Sequence, residues 1–153
     1  MKSSEMVCGN LSEEQERTLL ALLKLIIPPS EDGRMPGAAD VGFFAYMNRE
    51  NLYSWMKEGL LSINEESQSK YQQEFSVLGN GEQAQLIDTL RRKLFRFFSR
   101  LTTEVIKCYY LNDRVLEAIG LEARPPFPHG YLLDEGDLSL LVPVYERGKI
   151  YRD

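Results

Sequence analysis

His129 is the only histidine in the chain, so a Ser-His-Asp or Cys-His constellation has a single residue to build around. It stands in the run Arg124-Pro125-Pro126-Phe127-Pro128-His129-Gly130-Tyr131, with no G-x-S-x-G nucleophile turn beside it. An enzyme built here would use His129 with Tyr131 or Asp134; a surface or interface role suits the residue better. Cys8 and Cys108 are too few for a disulfide framework and too far apart for a zinc ligand pair, and both read as reduced thiols. Neither G-x-G-x-x-G nor a Walker sequence occurs. No catalytic, cofactor-binding or metal-ligating residue is therefore expected.

The charged groups point elsewhere. Glu65-Glu66 and Asp134-Glu135-Gly136-Asp137 sit at an expected helix start and an expected turn, where acids cap or solvate. Arg91, Arg92, Lys93, Arg96 and Arg100 crowd one segment, and Arg92, Arg96 and Arg100 recur at four-residue steps. That stripe reads first as a solvated face opposite a Leu/Phe core stripe, partly balanced by Asp88 and Glu104. The alternative is a regulatory binding protein that docks an acidic partner through the Arg91 to Arg100 face, with binding that weakens in salt.

These residues need elements to hold them. A chain of 153 residues, 43% of them hydrophobic, suffices for one domain with a real core. Twenty-three acids against eighteen bases give a net charge of −5, which repels a polyphosphate backbone. No run approaches a membrane span, and the start lacks an apolar signal region, so a cytoplasmic location is expected.

The expected organisation is a tail over 1–11, a helical domain over 12–120 and an extended arm over 121–153. Ser12 and Gln15 form a capping box, and Leu19, Leu22, Leu23 and Ile26 continue an apolar stripe until Pro28-Pro29, predicting a helix from Glu13 to Ile27. A loop over 29–37 precedes a short helix from Ala38 to Met47. Leu52 to Leu61 and a segment capped anew at Asn64 predict two more helices, joined near Ser62. Gly79-Asn80-Gly81 predicts a turn using positive φ. Ile87, Leu90, Leu94, Phe97 and Leu101 predict a central core helix or a close pair, and Asn112 caps a short helix ended by Gly120. The fold class is all-α, about five or six helices.

After Leu121 the pattern changes. Proline-rich backbone, an acidic turn and the apolar strip from Leu138 to Tyr145, interrupted by Pro143, predict an extended, Pro-containing C-terminal arm. Its apolar inventory must be covered by the helices or by another subunit. Phe127, Tyr131 and Leu141 are the expected partner-binding anchors, with Pro126, Leu138 and Tyr145 beside them and Arg124 and His129 as polar contacts at the rim.

Four stretches together resemble the gluconate 2-dehydrogenase subunit 3 family: Leu11-Ser12-Glu13-Glu14-Gln15, Leu25-Ile26-Ile27-Pro28, Pro36-Gly37-Ala38 and Tyr109-Tyr110. The closing stretches Arg124 to Tyr131, Gly136 to Leu141 and Arg147 to Tyr151 add to the likeness. The resemblance implies a non-catalytic small subunit of a complex whose flavin-dependent large subunit oxidises a sugar or sugar acid and often passes electrons to a cytochrome subunit. It places FAD in that partner and none in this chain, and implies a task in the partner's folding, stability or export. Members commonly start with a twin-arginine signal, whereas this sequence begins almost directly with its first helix. Either the complex is cytoplasmic, or this subunit is carried to the periplasm on a partner's signal, or the start has been trimmed.

Overall fold

The computed structural model describes residues 11–124, 130 and 136–150, and among these the secondary structure is helical, with no strand. Two units are distinguished, one up to Ala123 and one from Arg124.

Helix α1 spans Glu13–Ile26 and begins as its sequence dictates. Gln15 N–H donates to Ser12 Oγ at 3.2 Å while Ser12 N–H donates to Gln15 Oε1 at 3.0 Å, closing the capping box. Glu13, Glu14 and Glu16 place negative charge at the positive end of the helix dipole. Thr18, Leu19, Leu22 and Leu23 form its buried face. Pro28 drives Ile27 into extended backbone, φ −136°, and the helix stops one residue short of the expected end.

The segment expected as one short helix from Ala38 is two pieces. A 3-10 turn, Ala38–Asp40, is followed by α2, Phe43–Arg49, with Gly42 at φ +76° between them. Glycine enters that left-handed region without the backbone strain a side chain brings, so the break is written at Gly42. A second difference concerns α3, which runs unbroken over Tyr53–Tyr71 where two helices joined near Ser62 were expected. Asn64 does not cap a new helix, because its side chain serves a neighbour: Thr18 Oγ1 of α1 donates to Asn64 Oδ1 at 2.8 Å, both residues buried. Ser62 Oγ bonds back to the Glu58 carbonyl within the same helix.

After a 3-10 turn at Phe75–Val77, α4 spans Asn80–Lys93. The turn expected at Gly79 to Gly81 is instead the helix start: Gly79 sits at φ −64°, its N–H donates to the Glu82 carboxylate at 3.1 Å, and Gly81 is already helical. The long periodic segment proves to be the close pair, α4 and then α5, Phe95–Tyr110, divided at Leu94. Helix α6, Asp113–Ala118, starts where Asn112 Oδ1 accepts the Arg114 N–H at 3.1 Å.

The first unit closes around one core. Leu19 and Leu23 of α1, Phe43 and Met47 of α2, Met56, Leu60 and Ile63 of α3, Leu86 and Leu90 of α4, and Leu101 and Val105 of α5 are all fully buried. Each such side chain contributes roughly 1.5–3 kcal/mol by leaving water. Tyr109 fastens the loop after α1 by donating its hydroxyl to the Pro36 carbonyl at 2.9 Å.

In the second unit the strip from Leu138, expected extended, is helical. Leu138–Leu141 form a 3-10 turn that leads into α7, Val142–Arg147. Asp137 starts it by accepting the Ser139 N–H at 3.0 Å. Pro143 falls in the first turn of α7, where its missing N–H has no intrahelical acceptor to lose, so it initiates the helix rather than interrupting it.

Candidate partner-binding surfaces

The arginine stripe lines a groove. Dividing the periodic segment at Leu94 puts Arg92 and Lys93 at the end of α4 and Phe95, Arg96 and Arg100 on α5. Opposite them α3 offers Trp55, Glu58 and Gly59, and together these residues bound an open groove of about 600 Å³. Its floor follows from one missing side chain: Gly59 is buried, and a Cβ there would overlap the Phe97 ring. Phe97 in turn meets Trp55 edge-on at 5.5 Å between ring centroids, and the Arg100 guanidinium lies 4.5 Å from the Trp55 centroid.

The charge balance of this groove is lopsided. Its lining holds four cations, Arg92, Lys93, Arg96 and Arg100, against one carboxylate, Glu58. Lys93 is partly answered by Glu66 at 3.3 Å, while Arg92 and Arg96 make no ion pair among the described residues. Asp88 reaches Arg91 at 3.8 Å.

Glu104 does not serve the stripe as a simple counter-charge. Tyr46 of α2 donates its hydroxyl to Glu104 Oε2 at 2.6 Å and Lys107 Nζ donates to Oε1 at 2.9 Å, with the Glu104 side chain only 12% exposed. Burial by itself raises the Glu104 carboxyl, but the Tyr46 and Lys107 hydrogen bonds and the Lys107 and Arg100 charges outweigh it and leave it below its ordinary value. Burial first, and then the bond to Glu104, push the Tyr46 hydroxyl far above its ordinary range. A phenol held so firmly protonated is a tie between α2 and α5, not a proton donor at neutral pH. Nothing in the local sequence pairs residues 46 and 104; only the fold does.

Of the expected partner-binding residues, Arg124, Leu138, Leu141 and Tyr145 are described, while Pro126, Phe127, His129 and Tyr131 lie outside the described residues. Arg124 is half-buried at the start of the second unit. Leu138 is 76% exposed and Tyr145 77%, with Leu141 between them at 41%. Leu138 and Leu141 are three apart in a 3-10 turn and so lie one above the other, and Tyr145 follows four residues on in α7. Leu140, Val142 and Val144 are exposed as well, so this short stretch shows apolar side chains all round. The enzyme alternative built on His129 with Tyr131 or Asp134 also falls outside the described residues.

Cys108 is buried, its thiol raised chiefly by that burial, as an apolar helix position predicts. Among the described residues no group of three His, Cys, Asp or Glu side chains is placed to hold a metal, and no helix is long and apolar enough to cross a membrane.

Comparison with curated proteins and with solved structures finds no match. A family model described as Gluconate 2-dehydrogenase subunit 3 matches residues 13–119, from the first residue of α1 to the residue that closes α6. With more than two thirds of its length matched and every helix of its core inside that match, the chain belongs to the gluconate 2-dehydrogenase subunit 3 family.

Proposed function

We propose that this chain is a non-catalytic accessory subunit that binds a flavin-dependent dehydrogenase acting on a sugar or sugar acid and supports its folding, stability or export. The family carries the reading as far as a subunit of a gluconate 2-dehydrogenase type of complex. The finer role is supported by the stretch from Leu138 to Tyr145, which exposes six large apolar side chains. A soluble surface rarely displays so much apolar area in so few residues, and burial against another protein removes it from water. FAD then belongs to the large subunit, and a cytochrome subunit is the natural electron acceptor of such an assembly. The chain's own contribution is contact area.

Co-purification with the tagged chain from its native cell tests this. Mass identification and an absorbance spectrum should reveal a flavin-bearing dehydrogenase at near-equal amounts. A lone colourless chain that turns over sugars by itself would overturn the reading and return attention to His129.

A further inference from the structure

We propose that the groove between α3 and the α4–α5 junction seats an acidic segment of the large subunit, an apolar or aromatic side chain flanked by carboxylates. The accessory-subunit reading supplies only the identity of that partner; the chemistry of the seat stands on the groove itself.

The first argument is charge. In a chain of net charge −5, four cations against one carboxylate in a single groove is a local reversal of sign, and it attracts what the rest of the surface repels. Arg92 and Arg96 are not neutralised by any partner among the described residues. The second argument is preorganisation. Arg100 is held against the Trp55 ring, so its planar fork is already ordered, and its N–H groups make no hydrogen bond to the described residues. A guanidinium fixed in this way loses little freedom when it receives a carboxylate on two parallel N–H bonds. The third is shape. Gly59 leaves the floor to the Phe97 ring, and Phe95, 66% exposed, stands at the rim, so an apolar side chain has aromatic surface to cover between the cations. A nucleic acid would meet the same cations, but the chain's net charge of −5 opposes a polyphosphate backbone.

The groove carries its own reporter. Trp55 is the only tryptophan of the chain, so its emission reads events at Arg100 and Phe97. The test is a titration of the full chain with the peptide Glu-Glu-Phe-Glu-Glu, followed by Trp55 fluorescence. A saturable change is expected, weakened about tenfold between roughly 50 and 500 mM salt. It should vanish in R92E/R96E, whose helical circular dichroism should match the wild type because both side chains are exposed, and persist in R92K/R96K with reduced strength. No change in emission, an equal response to Gln-Gln-Phe-Gln-Gln, or an equal response to free gluconate would overturn the proposal, the last by making the groove a small-acid site. Capture from the native cell separates the two readings. If wild type and R92E/R96E bring down the flavoprotein equally, the groove proposal falls and the accessory role stands. If the wild type brings down no flavoprotein, the accessory role falls, and with it the partner named here.

Discussion

Gly59 shows how one residue decides what the groove can be. Its lack of a side chain lets Phe97 lie against α3, and the ring then supports Trp55 and, through it, Arg100. Gly59→Ala should cost about 1–3 kcal/mol of stability, the usual range for overpacking, and shift Trp55 emission as Phe97 is displaced; a denaturant titration followed at 222 nm and by fluorescence checks both. The Tyr46–Glu104 pair gives a prediction in pH. Glu104 is held below its ordinary value of 4.5, so its stabilisation is fully present above that value and is lost as pH falls through the lower folded value. Tyr46 is held above its ordinary value of 10.0, so its share is present below pH 10.0 and is lost as pH rises towards the raised value. Glu104→Gln should therefore flatten the acid limb of a stability profile and Tyr46→Phe the alkaline limb, each costing roughly 1–3 kcal/mol at neutral pH. Unchanged limbs in thermal scans across pH would contradict this account of the tie.

Among the elements, helix ends set by local chemistry were legible and helix continuity was not. The Ser12 box, the Pro28 stop and the Asn112 cap all act within four residues, and a sequence displays them. Asn64 looked like a cap because asparagine often is one; its occupation by Thr18 of another helix is a tertiary fact. Pro143 looked like an interruption because the start of α7 was unknown, and in a first turn the same ring is favourable. Two glycines make the point measurable with opposite signs. Gly42 lies at φ +76° with nothing near a would-be Cβ, so Gly42→Ala should lose about 1 kcal/mol through backbone strain alone. Gly81 lies within α4 with equal free space, so Gly81→Ala should gain about 0.5–1 kcal/mol. Chemical denaturation of the two variants settles both, and equal signs would refute the assignment of the helix starts.

At the scale of the whole chain, the two surfaces proposed for the partner differ in physical character. The stretch from Leu138 to Tyr145 would bind by area, the groove by charge. Leu138→Ala, Leu141→Ala and Tyr145→Ala combined should reduce flavoprotein capture at least about tenfold with little effect of salt, since apolar contact is not screened. Undiminished capture by the triple variant would remove that stretch from the interface. The arginine half of the groove was legible as a four-residue repeat, whereas Trp55 and Gly59, some forty residues earlier, carry no local sign of belonging to it. A further property follows from Cys108, placed on α5 with its sulfur 3.9 Å from the Val41 carbonyl and 5% exposed. A thiol in that position is a clock. In a Cys8→Ser background, the rate at which an alkylating reagent modifies Cys108 counts how often α5 parts from the Val41 backbone, because the closed state hides the sulfur. A bound partner that steadies the helices would slow that clock from a distance, reporting assembly without touching the residue it is read from.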